Sequence, residues 1–214
     1  TLGLSPSAGA DAGGPVAAVI RIDDSWHRAW EDAGAADALD VALRKVVLLV
    51  DGARVKTREI QLDYDAPVRR LPEWARTLAR LRSDAGALAG RRVWITSLPA
   101  HLADARYGPL FKGVVEGHLL QLFDTGLDPT RAVLEATGRD VVRAGMPWRL
   151  GLGAFERRRA DRIVTRHAAA WEGAPGLVSL PGCEGVWVFP AGHPWTEPRR
   201  RLRGQRHDDE RIVL

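Results

Sequence analysis

Two carboxylates and an amide alternate along one short segment, Glu59-Ile60-Gln61-Leu62-Asp63-Tyr64-Asp65-Ala66-Pro67. In an extended strand successive side chains point to opposite faces, so Gln61, Asp63 and Asp65 share one face while Ile60, Leu62 and Tyr64 share the other. Residues two apart on a strand lie roughly 6 to 7 Å apart, so two aspartates there repel and one pKa can rise toward the range an acid catalyst needs. The same residues also serve structure: an acidic strand end caps loops and helix N-termini, and Asp-Ala-Pro is ordinary turn chemistry. From the segment by itself the two readings balance.

The elements that must hold this face follow from the hydrophobic pattern. Short apolar runs ending in polar residues alternate with helical periodicity, the rhythm of parallel sheets built from β-α units. Six strands are predicted, over 15–23, 58–65, 92–98, 118–124, 147–154 and 185–190. A helix between the first two places Leu39, Leu43, Val46, Val47 and Val50 on one side. A second starts at Pro72, a residue favoured in the first helical turn, with Trp74, Leu78 and Leu81 together. A third is expected to start after Asp128 and stop near Gly138, and a long last helix to cover 157–171, with Ile163, His167 and Trp171 at helical spacing. The fold class is therefore α/β, a partial or open TIM-type β/α barrel of about six parallel strands with helices outside. A complete eight-unit barrel takes about 250 residues; this chain has 214. Residues 1–14 read as a flexible N-terminal segment, 15–197 as the barrel-like domain and 198–214 as a basic tail, and the start at Thr1 reads as a processed or trimmed chain or a fragment.

Composition narrows the partners. The chain is 45% hydrophobic and 27% charged, an ordinary globular balance, and no apolar run reaches the roughly 18 residues of a membrane span. Its net charge is +4, with Arg199, Arg200, Arg201, Arg203, Arg206 and Arg211 crowded into the last sixteen residues and the rest roughly neutral, and with no aromatic interleaved to stack bases this tail does not read as a nucleic-acid site. The lone Cys183 excludes an intrachain disulfide and reads as a structural thiol. None of the six histidines has metal-ligand spacing, and His27, His101 and His193 look loop-borne, so no metal and no cofactor is implied. Gly151-Leu152-Gly153 lacks the third glycine of a phosphate loop and reads as a close turn at a strand end, and Asp23-Asp24 ends the first strand on the same rim. Eight tryptophans against two tyrosines and four phenylalanines fit a sugar-stacking cleft, although Trp74 and Trp171 sit on apolar helix faces. Of Trp94, Trp148 and Trp187 on the strands, Trp187 is the one expected to meet a ligand.

The run from Gln61 to Pro67 resembles the Asp-x-Asp-x-Glu-x-Pro run that ends the fourth strand in glycoside hydrolase family 18, the chitinase-like barrels. If two units precede the visible ones, the strand count agrees. Gln121-Leu122-Phe123-Asp124 is similar to the family's sixth-strand Met-x-Tyr-Asp, and Trp187 in Gly185-Val186-Trp187-Val188-Phe189 to its eighth-strand tryptophan floor. Closer still is the similarity to an uncharacterised, often exported family of bacterial barrels (domain of unknown function 3142), whose Gln-Ile-Asp-Phe-Asp-Ala strand matches Gln61 to Ala66 and whose next strand ends like Thr96-Ser97-Leu98-Pro99. The resemblance covers about residues 15 to 190. It implies Asp65 and Asp63 as catalytic groups, with Gln61, Gln121, Asp124 and Trp187 on an oligosaccharide or polysaccharide. Two departures argue against chitinase activity as such: Asp65 stands where the pattern has glutamate, setting its proton roughly 1 Å back, and Gln61 stands where it has the first aspartate. A non-catalytic carbohydrate-binding or scaffold barrel is the alternative.

Overall fold

A computed structural model describes residues 16–23, 25–30, 34–52, 57–155, 157–159, 162–164 and 168–191. The segments expected at 1–14 and 198–214, and with them Asp24, His167 and His193, lie outside these residues.

In chain order the elements are β1 (Val16–Arg21), α1 (Trp26–Ala29), α2 (Ala35–Gly52), β2 (Thr57–Asp63), α3 (Leu71–Leu81), β3 (Arg92–Ser97), α4 (Pro99–Ala103), α5 (Tyr107–Phe111) and β4 (Gly117–Gln121). They continue with α6 (Arg131–Ala144), β5 (Trp148–Phe155), β6 (Arg157–Arg159), β7 (Arg162–Val164), α7 (Ala168–Val178) and β8 (Cys183–Ala191). Six strands form one sheet in the order β1-β2-β3-β4-β5-β8, with every neighbouring pair parallel. The sheet curls into a half-barrel with helices around it, an open α/β barrel. No helix among the described residues is long and apolar enough to cross a membrane.

Alternation along the strands divides the sheet. Ile60, Leu62, Val93, Ile95, Leu120, Leu150 and Leu152 are buried in one hydrophobic cluster with Leu39, Leu43, Val46, Val47 and Val50 of α2 and Trp74, Leu78 and Leu81 of α3. Burying each such side chain contributes roughly 1.5 to 3 kcal/mol, so this outer layer is the main source of stability. The opposite, concave face carries polar and aromatic groups.

Two helices differ from their expected bounds. α6 starts later because Thr130 is its cap, its hydroxyl accepting from the Val133 amide. It then runs through Gly138, where a Cβ would come within 3.0 Å of Leu180 and 3.3 Å of Leu177; this glycine permits close packing and does not stop the helix. The stop is Gly145, left-handed at φ 63°. The helix expected over 157–171 is instead an antiparallel hairpin, β6 with β7, and α7 begins only at Ala168. The hairpin contains the β-branched pair Ile163-Val164, which suits a strand, and the apolar residues that bury a helix face here, Ala170, Trp171, Ala174 and Leu177, all come later.

Curvature is visible in one contact. β2 and β5 are three positions apart, about 14 Å in a flat sheet, yet the Arg149 guanidinium binds Glu59 with both of its terminal nitrogens, Nη1 to Oε1 and Nη2 to Oε2, the latter at 3.1 Å. The guanidinium lies 3.7 Å from the centre of the Trp94 ring on the intervening β3 and 5.4 Å from that of Trp187 on β8. Glu59 and Arg149 side chains are only 10% and 13% exposed. Removing one member of such a pair leaves the other charged and unpaired. Arg149→Ala should therefore cost about 3 to 5 kcal/mol, against much less for the double replacement Glu59→Leu with Arg149→Met, as measured by urea unfolding. Equal losses in the two proteins would contradict this.

Candidate functional site

The strand pairing puts Arg21 beside Asp63, and Gln61 between Val19 and Trp94. Arg21 reaches both aspartates: Nη1 donates to Asp63 Oδ2 and Nη2 to Asp65 Oδ2, each at 3.0 Å. The side chains are partly open, at 48% for Arg21, 22% for Asp63 and 27% for Asp65. Burial opposes the Arg21 charge, but the hydrogen bonds and charges of Asp63 and Asp65 outweigh it and hold the guanidinium pKa above its ordinary value. Gln61 is 1% exposed, its Nε2 donating to Thr96 Oγ1 at 3.3 Å.

The chain past β2 is held from both sides. Tyr64 is buried, its ring edge-on to Trp74 at 5.2 Å and its hydroxyl accepting from Trp30 Nε1 at 2.6 Å. Two histidines grip the carbonyls that follow. His27 Nε2 donates to the Asp65 carbonyl at 2.9 Å. The His101 ring accepts from the Leu98 amide at Nδ1, so its proton sits on Nε2 and is donated to the Ala66 carbonyl at 2.7 Å. Neither role was visible in the sequence, because both partners are backbone atoms of another segment. Neither histidine is loop-borne: His27 lies in α1, and His101 lies in α4 and is 2% exposed.

The remaining predicted residues are placed separately. Gln121 ends β4 and donates to the Phe123 carbonyl at 2.9 Å. Asp124 lies beyond the strand, exposed, at φ 54°, the single non-glycine residue with positive φ among those described; aspartate tolerates that region better than most residues. Trp187 pairs in register with Gly151 on the concave face, beside Phe189, which packs on Phe123 at 5.1 Å. The structure thus joins Asp63 and Asp65 through Arg21 and sets Gln61 below them, while Gln121, Asp124 and Trp187 belong to the β4–β8 side. Gly151 and Gly153 do not form a turn: both lie inside β5, where a Cβ on Gly151 would come within 2.6 Å of Leu119. Cys183 is partly buried, which pushes its thiol pKa up. A cavity of about 850 Å³ between α6 and α7, lined by Leu134, Leu177 and Leu180, belongs to the outer helical layer and not to the strand ends.

Four polar atoms of the concave face have no hydrogen-bond partner among the described residues: Gln61 Oε1, Asp63 Oδ1, Asp65 Oδ1 and Trp94 Nε1. No group of His, Cys, Asp and Glu among those residues is arranged to hold a metal ion. No family model matches the chain, and no curated protein matches it.

Behind the sheet, Ser97 Oγ lies 2.7 Å from His118 Nδ1, and the Tyr107 ring is edge-on to the imidazole at 5.4 Å. Ser97 and His118 are 0% exposed, so the pair is not a nucleophile open to substrate. Burial pushes the His118 pKa down to about 3 and, with the Ala66 carbonyl partly opposing it, also lowers that of His101. A histidine kept neutral in the fold gives stability that is full above the unfolded pKa near 6.5 and is lost as pH falls toward the folded value. His118 should thus remove about 2 kcal/mol between pH 7.5 and 5. Urea unfolding at the two pH values should show a smaller fall in His118→Asn than in the wild type, and an identical fall would disprove the assignment.

Proposed function

We propose that this chain is a glycosidase-like barrel whose strand-end face, centred on Gln61, Asp63 and Asp65, binds a carbohydrate, and that binding rather than hydrolysis is its primary activity. The observation that carries this reading is the Arg21 clamp. Both aspartates spend one oxygen on the guanidinium, while the other is buried and has no hydrogen-bond partner, an acceptor that a ligand hydroxyl reaching it would satisfy. In that geometry Asp65 Oδ2 is an acceptor, so proton donation to a leaving group would fall to Oδ1 alone. The likeness of Gln61 to Ala66 to the uncharacterised bacterial barrels and, more distantly, to family 18 supports the ligand class. Trp187, Phe189 and Phe123 supply apolar rings on the same concave face, of the kind that covers sugar faces.

A hydrolase using Asp65 as acid and Asp63 as partner is the second reading, favoured by the unpartnered Oδ1 of each. One experiment separates the two. Calorimetric titration and product analysis over an oligosaccharide panel should show binding without cleavage, with Asp65→Asn weakening the best ligand about tenfold, or ~1.4 kcal/mol. Release of product by the wild type and not by Asp65→Asn would establish the hydrolase. Failure of every sugar to bind would remove the carbohydrate reading.

A further inference from the structure

We infer that the outer edge of the sheet is a dimer interface, at which β1 pairs antiparallel with β1 of a second copy of this chain about a two-fold axis through Val19. This inference does not depend on the sugar-binding reading. β1 ends the sheet, and no described strand pairs with its outer side. The Ile22 amide donates to the Asp63 carbonyl at 2.9 Å, so the even-numbered residues here turn their backbone groups toward β2. The odd-numbered ones, Ala17 and Val19 among them, turn theirs outward. An outward row of amides and carbonyls is a template for another strand, and proteins blunt it with charges or proline. From Val16 to Ile20 this strand has neither.

The helix beside this edge is open as well. α2 joins β1 to β2, and its buried residues share a cluster with Ile20 and Ile60. One flank is polar and held on the α3 side: Asp37 pairs with Arg80, Asp40 accepts from the Ala87 amide, Arg44 donates to the Ala85 carbonyl and Asp51 pairs with Arg91. By helical periodicity, the surface that turns outward and toward the sheet edge carries Ala38, Val41, Ala42, Leu48 and Leu49, with Lys45 as its one charge. Leu48 is 71% exposed, Val41 54% and Leu49 50%, and Val19 on the concave side of β1 is 44% exposed. Four of the seven large hydrophobic side chains exposed among the described residues therefore border this one edge, on both sides of the sheet. Such a grouping marks an interaction surface where scattered single residues do not.

A second copy covers strand and helix together. A two-fold axis at Val19 sets Val19 against its own copy as a hydrogen-bonded antiparallel pair and Ala17 opposite Arg21, so like charges do not meet. The same axis brings the two α2 helices side by side. A helix riding above the β1–β2 pair stands about one strand spacing from that axis, which puts the two helix axes about 10 Å apart, a packing distance. With 18 residues α2 is about 27 Å long. Together with the strand beneath, it offers roughly 500 Å² per copy, or about 1,000 Å² in total, the lower bound of a specific interface. A dimer of this size is weak and forms at micromolar concentrations.

The test is analytical ultracentrifugation of the full chain from about 1 to about 300 μM, a range that brackets micromolar affinity. The expected result is a concentration-dependent dimer, weakened at least tenfold by Leu48→Lys combined with Leu49→Lys. Val142→Lys, which alters an exposed apolar residue on α6, should leave it unchanged. Register is read by oxidation of single cysteines in a Cys183→Ser background. Opposed residues of a hydrogen-bonded antiparallel pair have Cα atoms about 5.5 Å apart, within disulfide reach. Two copies of residue 17 lie roughly 13 Å apart in the same register. Val19→Cys should therefore give a covalent dimer and Ala17→Cys should not. Equal cross-linking at the two positions, or a dimer indifferent to the α2 lysines, would overturn the inference. So would a chain monomeric at every concentration, which would leave this edge to a β-α unit of another protein. The wild-type association decides that last point even if a variant, checked by circular dichroism, fails to fold.

Discussion

The Glu59–Arg149 bridge over Trp94 is the constraint on which the concave face depends. Six parallel strands with apolar residues on one side could lie as a twisted open sheet; a side-chain pair joining β2 to β5 across the inner face favours the curled form. Because the guanidinium is stacked on one indole and near a second, the charge is held among rings and not in water. This closes the lower end of the half-barrel near the strand starts and leaves the strand ends as the accessible part of the inner surface. Every group assigned to the rim stands above that floor.

At the rim the governing fact is that one arginine serves two aspartates. Their separation along the strand would make them repel; Arg21, delivered by the neighbouring strand in register with Asp63, turns that repulsion into a shared pairing. The backbone that carries Asp65 is then fixed by His27 and His101, which bind successive carbonyls from opposite sides of the chain. The site is positioned largely by contacts to backbone atoms, and each aspartate keeps one buried oxygen with no hydrogen-bond partner among the described residues.

The outer layer has a different logic. Its polar groups, Ser97, His118, Tyr107 and His101, are buried between sheet and helices, where Ser97 and His118 bond each other and the Tyr107 ring packs against both imidazoles within an otherwise apolar core. Such groups add directionality to packing that leucines alone do not provide. Gly138 and Gly145 show how one residue type answers two needs in the same helix, close approach to α7 in the first case and a left-handed stop in the second.

The six strands, their parallel arrangement and the helices that pack Leu39 to Val50 and Trp74 to Leu81 were legible in the sequence, because burial of a face imposes a period that the residue types record. So was the shared face of Gln61, Asp63 and Asp65, since alternation in a strand is a local property. The sequence alone misread 157–171 and the bounds of α6, because a hairpin and a late helix start depend on which neighbours are available to bury side chains. The partners of the aspartates and of the residue that follows them also required the tertiary structure: Arg21 and His27 lie 44 and 38 residues from Asp65, and His101 lies 35 residues from Ala66. Their meeting depends on strand register and sheet curvature, which no local pattern encodes.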